Sequence, residues 1–193
     1  GQRIAIAEDR AFSFIYPHII ESWRSQGSEI FPFSPLNNEV PQKNADFIWL
    51  PGGYPELHLE TISNADKTKK NLRKLAQKVR VHGECGGYMV LGKAIIDQKG
   101  RGHKMFNLLN LVTSFEKKQL HLGYRLAKLK DMNNKIHNSR ILRGHEFHYS
   151  TTIEQKDEEL YDVFDSSNNK VEETGSYKNK VSGTFFHFLS ECE

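Results

Sequence analysis

Cys85 sits in Gly83-Glu84-Cys85-Gly86-Gly87, with the apolar Val79 and Val81 before it and Val90-Leu91-Gly92 after it. A lone cysteine between glycines, where a strand hands over to a helix, has the pattern of a nucleophile elbow. A sharp turn lifts the sulfur off the sheet and small neighbours let a substrate carbonyl approach. The N–H groups that open the next helix favour thiolate over thiol. The competing reading is a buried cysteine acting as a small hydrophobe. The flanking glycines weigh against it, since glycine weakens a packed strand or helix unless the backbone needs it.

Such a nucleophile needs oxyanion donors and a base. Leu50-Pro51-Gly52-Gly53-Tyr54-Pro55-Glu56 follows an apolar run, and paired glycines after a strand can aim backbone N–H groups at a developing oxyanion. The N–H groups of Gly53 and Gly86 are the expected donors. Histidine is the usual base, and the chain has nine. His187 lies in a strand-like apolar run at 181–189, His145 and His148 lie in a polar-aromatic string at 143–150, and His82 falls just before the elbow. A lone histidine in an apolar strand is often structural, so these residues alone leave the choice open.

Two further patterns fail on physical grounds. Gly87-Tyr88-Met89-Val90-Leu91-Gly92-Lys93 formally fits a phosphate-binding loop, but Ala94 follows where a magnesium-binding hydroxyl belongs. Its apolar middle reads as the buried face of a helix, not an anion nest. His145 and His148 have H-x-x-H spacing, yet no cysteine or acidic cluster with ligand spacing accompanies them, so no metal is expected.

The elements that must carry these residues alternate between strand and helix. Residues 3–7 form a short apolar strand, and Phe14, Ile15, Ile19, Ile20 and Trp23 follow at helical spacing to a stop at Gly27. Residues 29–33 and 47–50 read as strands, and a basic helix spanning 64–80 precedes the strand into Cys85. This predicts an α/β fold with an open, mostly parallel sheet flanked by helices on both faces. Ligands bind such sheets beyond the carboxyl ends of the strands, where both glycine loops fall. In the second half, 120–129 and 141–149 read as strands, whereas 151–159 is acidic and polar and 165–179 is rich in Ser, Asn, Lys and Gly. Added antiparallel strands and loops are expected there.

At 193 residues and 37% hydrophobic, the chain suits a single domain, 1–193. It lacks an apolar run of roughly 18 residues and a secretory pattern at its start, so a soluble, cytoplasmic protein is expected. Two cysteines, Cys85 and Cys192, make no disulfide framework, and Cys192 reads as an inert tail residue. A net charge of +3 does not imply nucleic acid. The basic residues Lys67, Lys69, Lys70, Arg73, Lys74, Lys78 and Arg80 read as a solvated helix face, with an anionic docking surface as the rarer alternative.

The elbow, the Leu50-to-Leu57 loop, Phe33-Ser34-Pro35-Leu36 and Arg143-Gly144-His145-Glu146-Phe147-His148-Tyr149-Ser150 occur together. In combination, and over nearly the whole chain, they resemble the class I glutamine amidotransferase domain of the cobyrinic and hydrogenobyrinic acid a,c-diamide synthases. The resemblance implies a flavodoxin-like fold that hydrolyses glutamine, with Cys85 as nucleophile, His187 as base, and Gly53 and Gly86 as the oxyanion hole. It also implies a partner ATPase domain, absent here, that uses ATP and Mg²⁺ to activate corrin carboxylates for amidation in cobalamin biosynthesis. The chain would then be a fragment or one subunit, with no cofactor of its own.

The sequence departs from the wider class in two ways. Many members carry His-x-Glu, but Leu189 stands where that orienting acid would be, leaving a Cys–His dyad for which Glu146 and Glu84 are both open as the completing acid. Met89 replaces a common glutamine-contacting residue, so Tyr54, Arg143, His145 and Tyr149 are the candidates for holding glutamine. Another acceptor such as nickel-sirohydrochlorin, or a non-catalytic docking domain, are the alternative readings.

Overall fold

The computed structural model describes residues 1–130 and 141–191, and Cys192 lies outside the described residues. The first half runs β1 (Arg3–Ala7), α1 (Pro17–Ser25), β2 (Glu29–Phe33), β3 (Phe47–Leu50), a 3-10 turn at Pro55–Leu57, α2 (Leu59–Ser63), α3 (Asp66–Leu75), β4 (Arg80–Glu84) and α4 (Gly86–Leu91). The second half is strand-rich. It comprises β5 (Ala94–Ile96), β6 (Gly102–Lys104), β7 (Leu111–Ser114), β8 (His121–Leu129), β9 (Ile141–His148), β10 (Thr151–Gln155), β11 (Glu158–Glu159), β12 (Tyr161–Phe164), β13 (Ser176–Lys178), β14 (Val181–Thr184) and β15 (Phe186–Glu191).

The main sheet has the order β11-β13-β14-β4-β3-β1-β2, in which β14, β4, β3, β1 and β2 are parallel and β13 and β11 add an antiparallel edge. Parallel strands are buried on both faces, which explains the unbroken apolar runs of β1 and β3. Ala5, Ile48, Leu50 and Val81 pack on one face with Leu72 of α3 and Tyr88 and Leu91 of α4. Ile4, Ile6 and Trp49 face the other way, against Ile20 and Trp23 of α1. Helices therefore cover both faces, as expected. Beside α1, the antiparallel sheet β12-β8-β9-β15 shares the second face, across a cleft of about 650 Å³ lined by both layers. No helix among the described residues is long and apolar enough to cross a membrane.

Three expectations about elements need correction. The basic helix is shorter than 64–80: α3 covers Asp66–Leu75, and its acid-first, base-last charge pattern suits the helix dipole. Lys69 is buried in it, bonded to Ser63 O and paired with Asp66 at 3.0 Å, and Arg73 Nε donates to Phe106 O at 2.7 Å. Part of the supposed solvated face thus serves internal contacts. The polar stretch at 151–159 contains β10, which pairs with β7 in a separate sheet, β10-β7-β5-β6. Finally, the apolar run at 181–189 is two strands broken at Phe185, one in each of two sheets.

Candidate active site

β4 ends at Glu84, flanked in parallel by β3 and β14. Cys85 follows with φ 47° and ψ −105°, a sparsely populated conformation for a non-glycine residue, which costs on the order of 1–3 kcal/mol. Its N–H donates to Thr184 O at 2.8 Å, and its carbonyl accepts Met89 N–H at 3.1 Å. The glycines make the turn possible by close approach: a methyl on Gly87 would stand 1.9 Å from Leu50 O. Helix α4 is thereby pressed onto the sheet, with Gly87 to Leu91 all buried, so the G-x-x-x-x-G-K string forms no phosphate cradle.

The Gly52-Gly53 loop lies beside this turn. A methyl on Gly86 would stand 3.1 Å from Gly53 N, and one on Gly53 would stand 2.2 Å from Ala11 O. The backbone N–H groups of Gly86 and Gly53 both reach the Cys85 sulfur. Those two expected donors are brought together. The thiol itself contacts Phe147 O at 3.5 Å. Burial pushes its pKa up to about 12; the Gly86 and Gly53 N–H groups oppose that shift, and the carboxylates of Glu56 and Glu84 add to it. Cys85 is therefore a thiol in this state.

His187 arrives on β15 by a change of sheet. The half-buried Glu173 carboxylate accepts hydrogen bonds from Thr184 Oγ1 at 2.6 Å and from Phe185 N–H at 2.8 Å, pinning the break after β14. β15 then pairs with β9, setting His187 opposite His145 with rings stacked at 4.7 Å and 8°. Gly52 must be a glycine here, since a methyl would stand 2.4 Å from His187 Cε1. His187 is fully buried and neither ring nitrogen has a hydrogen-bond partner. Burial, with lesser contributions from His145 and His148, pushes its pKa down to about 3. A thiol near 12 and an imidazole near 3 do not form an ion pair. Cys85 and His187 thus reach the same strand, β9, as uncharged groups with no hydrogen bond between them.

The space beside the sulfur is only about 20 Å³. That is room for about one water and far too little for a glutamine side chain. Tyr54 and Tyr149, each 40% exposed, wall it on the outside. Tyr54 packs edge-on to Phe14 at 5.0 Å, and Tyr149 to Phe147 at 5.6 Å. Two of the four candidate glutamine contacts therefore line the cavity and two do not. Arg143 lines a separate cleft with Tyr124 and Leu189. His145 stacks on His187 and hydrogen-bonds the Tyr16 hydroxyl at 2.6 Å, so it supports the imidazole instead. Glu56, half-buried with its pKa raised by burial, lines the cavity; its position in the Leu50-to-Leu57 motif was the available signal.

On β8 and β9, His121, Glu146 and His148 bring ligand-type atoms within 4.8 Å of one another. Sequence spacing hid this group because His121 comes from the neighbouring strand, paired opposite His148. Glu146 is already engaged there: Oε2 accepts from Arg125 Nε at 2.8 Å and Oε1 from His148 Nε2 at 2.9 Å. Its charge is balanced by Arg125 with no need of a metal ion.

The architecture is that of glutamine amidotransferases. A solved glutamine amidotransferase from Thermotoga maritima aligns with a TM-score of 0.61 at 15% identity, covering 96% of this chain and 75% of its own. Another solved glutamine amidotransferase reaches 0.64 at 13% identity, covering 95% and 89%. Such identities speak for the fold alone. Residues 3–192 match the CobB/CobQ-like glutamine amidotransferase domain, and the chain belongs to that family. A hydrogenobyrinate a,c-diamide synthase of Rhodobacter capsulatus is 52% identical over 188 residues, 97% of this chain and 43% of the relative. One from Mesorhizobium japonicum is 47% identical over 193 residues, 100% of this chain and 44% of the relative. The chain spans less than half the length of these curated relatives.

Proposed function

We propose that this chain is the glutamine-hydrolysing part of a cytoplasmic, ATP-dependent a,c-diamide synthase of cobalamin biosynthesis, acting on a hydrogenobyrinate-type tetrapyrrole. The observation that carries the reading is the convergence of the Gly53 and Gly86 N–H groups on the sulfur of a strained, buried cysteine. The acceptor comes from the names of the 44–52% identical relatives. ATP and Mg²⁺ are assigned to the synthetase portion, which also binds the tetrapyrrole. Exposed apolar side chains Leu120, Leu122 and Tyr124 on and beside β8 suit contact with such a partner.

Glutamine enters after Tyr54 and Tyr149 part, and Glu56 receives its ammonium group. The Cys85 sulfur forms a bond to the amide carbon while its proton passes to His187. Gly53 and Gly86 N–H groups take the oxyanion, in the role that typically contributes ~10²–10³-fold in kcat per donor. The C–N bond breaks as His187 returns the proton to departing ammonia, leaving a thioester. Water then attacks, releasing glutamate and restoring the thiol, so glutamine plus water gives glutamate plus ammonia.

The test uses the full-length natural protein, assayed with glutamine or with ammonium salts as nitrogen source. Cys85→Ser should abolish glutamine-dependent amidation and glutaminase activity and leave ammonium-dependent amidation intact. A glutamine-like chloroketone should label Cys85, and glutamine should protect it. Glutaminase activity in Cys85→Ser would overturn the reading.

A further inference from the structure

We propose that Glu84, the residue immediately before the nucleophile, is the positioning carboxylate of His187: its Oε2 and His187 Nδ1 are both buried, both without a hydrogen-bond partner, and face each other at 4.0 Å. The inference rests on the reading of Cys85 and His187 as the reacting pair, and supplies the acid that Leu189 does not.

Buried polar atoms without partners are rare, because each forfeits its hydration for nothing. Two orphans of complementary type facing each other are an incomplete bond. Nδ1–H donates and a carboxylate oxygen accepts, and a closure of about 1 Å brings 4.0 Å to hydrogen-bond length. With the proton on Nδ1, the lone pair lies on Nε2, the other buried nitrogen without a partner. That is the tautomer a thiol proton requires.

Glu84 is anchored for this task. Phe188 N–H and the Trp49 indole both favour its charged form, placing donors from β3 and from the residue after His187 on its side. Glu146, the other candidate, is excluded: both oxygens are engaged, and it pairs with Phe186, so it points to the opposite face of the sheet from His145 and His187. The groups that face Glu84 are His187 and Cys85, with the phenols of Tyr16 and Tyr161. Burial pushes the Glu84 carboxyl up to about 8. When His187 takes the thiol proton, the imidazolium stabilises the carboxylate beside it. The pair is strongest while the reaction is under way, where an interaction raises kcat instead of merely tightening binding.

The experiment compares Glu84→Gln, Glu84→Asp, His187→Ala and Cys85→Ser in the full-length protein. Glu84→Gln keeps the shape and can still accept from Phe188 and Trp49. It should lower glutaminase kcat by ~10–100-fold with KM changed less than about threefold, leave ammonium-dependent amidation intact, and flatten the rise of wild-type kcat expected as Glu84 ionises around pH 8. Glu84→Asp should recover part of the rate. Wild-type kcat in Glu84→Gln, with His187→Ala and Cys85→Ser inactive, overturns the role of Glu84 and leaves the pair standing. Full activity in His187→Ala overturns the underlying reading instead. A measurement free of substitution is the ¹⁵N spectrum of the His187 ring: a proton on Nδ1 supports the proposal, and a proton on Nε2 refutes it.

Discussion

Thr184 O accepts the Cys85 N–H at 2.8 Å, and the same strand pair aligns Thr184 with Glu84. Three residues further on, the chain delivers His187. The segment that fixes the backbone of the proposed nucleophile therefore also supplies the proposed base, and Phe185 is the point at which it passes from the parallel to the antiparallel sheet.

The proposed oxyanion loop has no room for a side chain at Gly53. In Gly53→Ala the new methyl would meet Ala11 O at 2.2 Å and push the N–H off its target. Glutaminase kcat should fall by ~10²-fold or more with little change in KM. Steady-state kinetics check this; an unchanged kcat would remove Gly53 from the oxyanion hole.

Cys85 should be sluggish toward a general alkylating agent. With burial holding the thiol up to about 12, iodoacetamide at pH 8 should modify it far more slowly than a free cysteine of pKa about 8.5. A glutamine-shaped chloroketone should react faster because its binding opens the site. Tyr54→Ala, which removes an outer wall, should accelerate iodoacetamide labelling, followed by intact mass.

Glu56→Gln tests the ammonium contact. The carboxyl lines the cavity at the sulfur, so KM for glutamine should rise about tenfold with kcat within about threefold. An unchanged KM assigns the ammonium group elsewhere.

Acid should destabilise the fold through two imidazoles, the buried His187 and the half-buried His82. Burial lowers His82 to about 4 and His187 to about 3, whereas unfolded histidine titrates near 6.5. At these two sites the unfolded chain therefore binds more protons, so their contribution is full above about 6.5 and falls as pH drops toward the folded values. Glu84, raised to about 8 by burial, works in the opposite direction between about 4.5 and 8, so the histidine part is read against Glu84→Gln. The slope is about 1.4 kcal/mol per pH unit for each histidine. Urea unfolding at pH 7, 6, 5 and 4 measures it; His82→Gln should shallow the slope.

Glu173→Ala should cost about 3 kcal/mol or more and reduce activity together. One carboxylate oxygen serves Gly175 N–H, Thr184 Oγ1 and Phe185 N–H, and its loss strands buried donors where the chain changes sheets. Urea midpoints and glutaminase rates should fall in parallel.

The features readable from sequence were those set by local backbone need. Gly53, Gly86 and Gly87 announce close approach because a β-carbon is excluded there, and the apolar runs of β1 and β3 announce buried parallel strands. What escaped depends on partners distant in the chain. The break at Phe185 is imposed by Glu173, not by glycine or proline in the run itself. β10 looks like a loop because its polar residues pair with β7 at a sheet edge. Arg143 and His145 lie on the same face of β9 as Phe147 but farther along the strand, where Arg143 lines a separate cleft and His145 stacks on His187. Glu84 and Glu146 were both open as the orienting acid, with nothing in their spacing to choose between them, and the facing orphan atoms distinguish Glu84 from Glu146.

The pairing of β14 with β4 joins segments a hundred residues apart. Long-range parallel pairing is slow, because loop-closure entropy is lost before the contacts form. During synthesis the Gly-Glu-Cys-Gly-Gly turn emerges well before the strand that must hold it. A ribosome that has made residues 1–180 has therefore displayed the cysteine without Thr184 to fix its backbone and without any base beside it. The reactive geometry is set only when the late strand inserts, so the glutaminase comes into being as one of the last events of folding.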